Sequence, residues 1–272
     1  KNEIPEIKAY ELKFAQGAKV RGGHVDGEKV TPEIAEIRKV EPWKTIDSPN
    51  RFKEFADFPS AFQMIEKIRE VTGKPVGMKI VIGSPDEAES LAKAIKETGM
   101  GPDFITVDGG EGGTGATFRE LADSVGLPIY SALPILDRAL RKYGVRDQLK
   151  IIASGKLFSP DRIAIALAMG ADLINIARGF MIAIGCIQTL KCHTNECPVG
   201  VATTDPKLEK ALVVEEKKHR VANYLITLRE GLFRVAAAAG HTSPTQFTKK
   251  DVYYKDEKGL VYSLEELYGD QT

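Results

Sequence analysis

The chain has 272 residues, 43% of them hydrophobic and 28% charged, with 38 Lys and Arg balanced by 38 Asp and Glu. That length supports one large α/β domain or two small ones without disulfide or metal staples, and the composition excludes a disordered chain. Zero formal net charge removes the general attraction to phosphate backbones and anionic lipid, so neither nucleic acid nor a membrane is an expected partner.

Residues 6–15 alternate polar and apolar side chains and run into Gln16-Gly17-Ala18-Lys19, which reads as a strand feeding a loop. A Gly-, Pro- and polar-rich excursion covers residues 20–59; within it Thr31-Pro32-Glu33 starts a short helix, with Thr as cap and Pro first in the helix. A helix is predicted over 60–71, capped by Ser60 and stopped at Thr72-Gly73. Strand 76–82 then leads through Ser84-Pro85-Asp86 into a helix over 87–96. Strand 104–108 enters the glycine run 109–115, followed by a helix to about Val125 and another over 135–143. Strand 149–153 runs into Ser154-Gly155-Lys156, Ser159-Pro160-Asp161 opens a helix to Met169, and strand 173–177 ends at Arg178-Gly179. The most apolar region, 163–190, is broken by Asp172, Asn175 and Arg178 and offers no membrane-spanning window. Residues 1–5 hold no apolar signal stretch, and a cytoplasmic location is expected.

A long helix over 211–240 and a hairpin over 251–263, turning at 256–259, complete the pattern. The expected division is a partial barrel over 1–205, with a cysteine loop at 186–198, and a helical and hairpin appendage over 206–272 packed on it. Strand segments 105–107, 151–153 and 173–176 are nearly all apolar, as in a parallel sheet covered on both faces. The βα alternation points to a (β/α) barrel or a doubly wound sheet. Five strands are readable where a barrel has eight, so either three N-terminal βα units lie outside this sequence or the sheet is open.

Three features carry chemistry. Cys186, Cys192 and Cys197 lie on one polar loop and are followed by Pro198, a spacing suited to wrapping an inorganic cluster. Three thiols without a fourth favour a 3Fe–4S cluster. Zinc needs another ligand, and His193 beside Cys192 is poorly placed to supply it. The bland alternative is three buried, unreactive cysteines, which confinement to one loop argues against. Gly110-Glu111-Gly112-Gly113-Thr114-Gly115 matches G-x-G-x-x-G formally. A dinucleotide fold also needs an acid ending the next strand, and Asp137 has the spacing but lies in a helical segment. The better reading is a loop passing close to a flat ligand, where glycine backbone is required. The turns Ser154-Gly155-Lys156 and Ala177-Arg178-Gly179 suit a phosphate held by backbone N–H groups and a cation, unless they are ordinary turns with solvated side chains. Together these loops suggest FMN.

Lys79 stands in an otherwise apolar strand, where an ammonium is costly unless paired; it belongs to the site or to a structural carboxylate. Gln16 and Lys19 close the first strand at the same rim, while His24, His219 and His241 show no ligand spacing.

Gln16-Gly-Ala-Lys19, Val107-Asp-Gly-Gly-Glu-Gly-Gly-Thr-Gly-Ala116, Ala153-Ser-Gly-Lys156, Ala177-Arg-Gly179 and the cysteine block ending Pro198-Val-Gly-Val-Ala-Thr203 resemble the FMN and iron–sulfur domain of the glutamate synthase family, over about residues 7–240. The resemblance implies a TIM (β/α)8 barrel carrying FMN, with a 3Fe–4S cluster on the loop after its last strand. It implies electrons from ferredoxin or an NADPH-oxidising partner passing through the cluster to the flavin, and reduction of 2-iminoglutarate, made from 2-oxoglutarate and ammonia, to L-glutamate. By motif, Cys186, Cys192 and Cys197 would be the cluster ligands, and Gly155, Lys156, Ala177 and Arg178 would line the FMN phosphate. Gly110, Glu111, Gly112 and Gly113 would lie near the flavin, with Gln16, Lys19 and Ser154 as further cofactor-binding residues. Lys79 matches the family's lysine near flavin and 2-oxoglutarate, and would be catalytic.

Two departures stand out. Val20-Arg21-Gly22-Gly23 follows where the family continues with Pro-Gly, and the family's first barrel strands have no counterpart before Lys1. We therefore expect the C-terminal part of a longer polypeptide. No glutaminase domain with an N-terminal Cys is present, so glutamine nitrogen would need a separate glutaminase. The alternatives are an FMN barrel oxidoreductase for another substrate and a non-catalytic electron-transfer fragment.

Overall fold

The computed structural model describes residues 4–17, 24–47, 51–113, 115–117, 119–121 and 123–269. Strand β1 (Tyr10–Lys13) is followed by a small antiparallel pair, β2 (His24–Val25) and β3 (Ile46–Asp47), with α1 (Pro32–Arg38) between them. Then come α2 (Phe58–Thr72), β4 (Val76–Ile80), α3 (Pro85–Thr98), β5 (Phe104–Asp108), α4 (Ile129–Lys142), β6 (Lys150–Ser154), α5 (Pro160–Ala168), β7 (Leu173–Asn175) and α6 (Arg178–Ala183). Beyond the cysteine loop lie α7 (Pro206–Glu209), α8 (Val214–Ala238), the hairpin β8 (Tyr253–Lys255) and β9 (Val261–Ser263), and α9 (Leu264–Tyr268). Among the described residues no helix is long and apolar enough to cross a membrane.

Five strands form one parallel sheet in the order β1-β4-β5-β6-β7. That order never reverses. A doubly wound sheet has a switch point where it does, so the monotonic order selects the arc of a (β/α) barrel wall.

Side chains alternate across the sheet. Val76, Met78, Ile80, Ile105, Val107, Ile151 and Ala153 point to the helical side and are buried with Phe62 and Ile65 of α2, Leu91 and Ile95 of α3, and Leu133, Leu136 and Leu140 of α4. The opposite face carries Glu11, Lys13, Lys79, Thr106, Asp108, Lys150, Ser154 and Asn175 by register, with Phe104, Ile152 and Leu173 as apolar members. Apolar runs as short as 105–107 conceal the alternation, because Thr106 is a β-branched residue that faces the polar side.

Several boundaries also differ from expectation. α2 is capped by Asp57 three residues before Ser60, the two side chains and backbone N–H groups forming a reciprocal capping box. α4 starts at Ile129 and passes through Pro134, forgoing one helical hydrogen bond, instead of starting after it. The helix expected from the glycine run to Val125 is replaced, among the described residues, by a single 3-10 turn at Arg119–Leu121. Asp123 adopts φ +59°, which stops any right-handed helix there.

Candidate functional site

Parallel register brings the C-terminal strand ends to one rim. Lys13 is level with Lys79, Lys79 with Thr106, and Asp108 with Ser154, which is level with Asn175. Gln16, Lys79, the glycine run, Ser154-Gly155-Lys156 and Ala177-Arg178 therefore share that rim. Lys19 lies outside the described residues.

Lys79 Nζ is 3.4 Å from Asp108 Oδ2, with side-chain exposures of 16% and 3%. The same Asp108 oxygen accepts the Gly17 N–H at 2.9 Å, so one buried carboxylate ties β4, β5 and the loop after β1. On the neighbouring strand the Glu11 carboxylate accepts from the Thr106 hydroxyl, and Gln16 accepts from Lys13 through its amide oxygen. Asp108 was not among the sequence-predicted site residues. Its signal was an acid ending an apolar strand, 29 residues after a lysine that needed a partner.

The glycine run packs tightly on the protein itself. A Cβ at Gly110 would meet Gly126 O at 2.5 Å, and one at Gly112 would meet Asp108 Oδ1 at 2.5 Å. Packing within the protein itself is thus one reason for glycine at these positions. Glu111 turns toward α4, accepting the Ile129 N–H at 3.0 and 3.1 Å, where an anion is favoured by the helix N-terminus. Burial raises its pKa, against the backbone hydrogen bonds and the Lys156 charge.

Lys156 adopts φ +51°, an uncommon conformation for a non-glycine residue, directly after Gly155 at φ +141°. Its ammonium is not simply solvated: it lies 3.0 Å from Asp123 Oδ1. Arg178 begins α6, half-buried. The two turns are linked through α8, since Tyr224 Oη donates to Phe158 O at 2.8 Å and its ring meets Phe180 edge-on at 5.2 Å. A separate cavity of about 930 Å³ opens by Phe14, Phe52, Phe55, Met78 and Ile80, with Met78 and Ile80 on the opposite side of β4 from Lys79.

The cysteine loop follows α6. Its fold is fixed by Asn195, at φ +69°, whose Oδ1 accepts the Thr204 N–H at 2.7 Å and the Thr203 hydroxyl at 3.1 Å. Cys186, Cys192 and Cys197 are free thiols, Cys197 buried and the others half-buried. Burial raises the Cys192 pKa, helped by Cys186 and Cys197 and opposed by Lys29. Burial also pushes Cys197 up, but the Val199, Ala202 and Val201 N–H groups and the Lys29 charge outweigh it, leaving the thiol below its usual range. The loop abuts the glycine run: a Cβ at Gly115 would lie 2.6 Å from Cys192 Sγ. Among the described residues no three His, Cys, Asp or Glu side chains converge as ligands of a metal ion.

The excursion after β1 covers this loop, which the sequence did not reveal. Lys29 Nζ donates to Cys192 O at 2.6 Å and Ala202 O at 2.8 Å, and the Asp26 N–H donates to His193 O at 3.2 Å.

Comparison with known proteins places these features. The chain is 62% identical over 267 residues to the glutamate synthase large subunit-like protein YerD of Bacillus subtilis (strain 168), covering 98% of this chain and 51% of that protein. It is 35% identical over 238 residues to the archaeal NADPH glutamate synthase of Methanocaldococcus jannaschii, covering 86% of this chain and 46% of that protein. The chain thus spans about half the length of these curated relatives. Among solved structures, a doubly substituted flavocytochrome b2 with sulfite bound matches with a TM-score of 0.52 at 12% identity, over 98% of this chain and 50% of that one, a likeness of fold alone. A family model described as the conserved region in glutamate synthase matches residues 1–242, and the chain belongs to the glutamate synthase family.

Proposed function

We propose that this chain carries the FMN- and cluster-holding region of a glutamate synthase-type oxidoreductase, forming L-glutamate reductively from 2-oxoglutarate and nitrogen from ammonia or glutamine. The observation that carries the reading is the Lys79–Asp108 pair on the rim where the glycine run abuts the cysteine loop. The names of the YerD protein and the archaeal enzyme support the same reaction class.

When bound, FMN supplies hydride chemistry and a 3Fe–4S cluster supplies single electrons. The chain's own residues divide the remaining work. Lys79 presents an ammonium that suits a dicarboxylate substrate, and Asp108 aims it. Ser154, Gly155, Lys156, Ala177 and Arg178 offer backbone N–H groups and cations to a phosphate, with Gln16, Lys19, Gly110, Glu111, Gly112 and Gly113 as the remaining cofactor-side residues.

The donor set of Cys186, Cys192 and Cys197 fits a cluster, being three free thiols on one loop with N–H donors and an ammonium close by. Cluster thiolates bind separate iron atoms, so they need not converge as the ligands of one ion do. The electron donor would be ferredoxin or an NADPH-oxidising partner, and nitrogen from glutamine would be released by a glutaminase. We assign residues 1–205 to the barrel and 206–272 to an appendage, in a cytoplasmic protein.

The test is anaerobic reconstitution of the chain with FMN, iron and sulfide, followed by the visible spectrum, iron and sulfide analysis, and glutamate formation from 2-oxoglutarate and ammonium with reduced ferredoxin. Flavin bands over a broad iron–sulfur shoulder, with glutamate produced, are expected. Protein-only absorbance after reconstitution would overturn the cofactor reading, and a loaded protein inert with 2-oxoglutarate would overturn the substrate.

A further inference from the structure

We propose that Lys29 is the counter-charge of the cysteine loop, an ammonium delivered from the excursion after β1 that anchors the Cys192 end and favours the reduced, more negative state of a cluster held there. The proposal rests on the cluster reading above and assigns a role to a residue 163 positions away from Cys192 in the chain.

Lys29 is half-buried, and among the described residues its ammonium donates to the carbonyls of Cys192 and Ala202. Among the described residues no carboxylate pairs with it. The titratable groups it faces are the Cys192 and Cys197 thiols, together with Arg38, which repels it. A desolvated ammonium without an anion is costly, and two carbonyl hydrogen bonds leave one of its three protons uncommitted. Neutral thiols do not supply the missing charge, whereas thiolates ligating iron do.

The consequence is electrostatic. One electron delivered to the cluster by a one-electron donor protein adds one negative charge to it. A fixed cation nearby stabilises that product more than the oxidised state, and so raises the potential. Arg38 alone is no substitute, because among the described residues it makes no hydrogen bond to the loop.

The experiment compares the reconstituted parent with Lys29→Met and Lys29→Arg, reading iron and sulfide per chain and the cluster midpoint potential by EPR-monitored titration with dithionite and mediators. Lys29→Met should keep its iron but make reduction about tenfold less favourable, about 59 mV for one electron, while Lys29→Arg stays close to the parent. An iron-loaded Lys29→Met with the parent's potential overturns the proposal. If Lys29→Met cannot hold iron, retention by Lys29→Arg supports the anchoring charge and loss in both variants overturns it. A parent that takes up no iron refutes the cluster reading itself, an outcome distinct from an unchanged potential.

Discussion

Asp108 serves two partners with one oxygen, so changes at Lys79 and Asp108 should not be additive. Replacing Lys79 by Met removes the ammonium and strands a carboxylate that is 3% exposed, leaving it only the Gly17 N–H. Breaking such a pair from one side costs about 3 kcal/mol, and losing an electrostatic contact to the reacting substrate costs on the order of 100-fold in turnover. We expect Lys79→Met to lose both, and Lys79→Met with Asp108→Asn to regain stability in urea unfolding without regaining activity. Full activity in Lys79→Met would move the chemistry elsewhere on the rim. A lone lysine in an apolar strand shows in the sequence that a partner is needed, but strand register chooses the partner. Glu111 gives a second, pH-resolved expectation. Burial raises its folded pKa above the unfolded value of about 4.5, so the folded state binds the proton more tightly and stability is lost as pH rises through that window. Glu111→Gln keeps an acceptor for the Ile129 N–H without the buried charge. Its melting temperature relative to the parent should therefore climb between pH 4 and pH 7, and a gap that stays flat would contradict this assignment.

Elements were most legible where periodicity and caps agreed, and least where a turn was set by distant contacts. Ser84-Pro85 and Thr31-Pro32 open α3 and α1 as the sequence indicates, because the capping side chain and proline act within one turn. The stretch after the glycine run failed: Leu127 N–H is drawn to Ile82 O at 2.9 Å, a contact between the loop before α4 and the loop after β4 that local helix propensity does not encode. Asp137 shows the same lesson in α4. It had dinucleotide spacing, yet it is fully buried and bridges Arg146 at 2.8 Å, Arg141 at 2.9 Å and Lys249 at 3.2 Å. It thus ties α4 to the segment before β8. Burial disfavours its charge, but the hydrogen bonds and cations outweigh this and hold the pKa below the ordinary 3.8. Its contribution is complete above that value and is lost as pH falls through the lower folded pKa. Asp137→Ala would leave cations buried without their carboxylate and should cost about 3–5 kcal/mol in chemical unfolding at pH 7. A loss below about 1 kcal/mol would show that the site relaxes into solvent.

At the scale of the whole molecule, the sheet edges are the strands β1 and β7, and large apolar side chains are exposed outside the sheet. Apolar strand segments suited a sheet covered on both faces, but the face away from the helices is largely polar, with Glu11, Lys13, Lys79, Asp108, Ser154 and Asn175 along it. Exposed apolar side chains include Ile182, Ile187 and Leu190 on α6 and the cysteine loop and Leu225, Ile226 and Phe233 on α8, and Leu173 on edge strand β7 is 56% exposed. Residue-level patterning could not show this, because α8 carries apolar residues on more than one side and only tertiary packing decides which side is buried. Among the described residues β1 and β7 each pair on one side only, so both edges of the sheet present unpaired N–H and C=O groups. An open edge beside an apolar patch favours association. The 272-residue polypeptide on its own should therefore sediment as concentration-dependent oligomers and bind a hydrophobic dye. Ile226→Glu with Phe233→Glu should weaken the association several-fold, because charge on α8 disfavours burial of that face while leaving the Lys79 rim untouched. A monomer at high concentration that ignores the dye would mean that the edges and the α8 face are already covered within this chain.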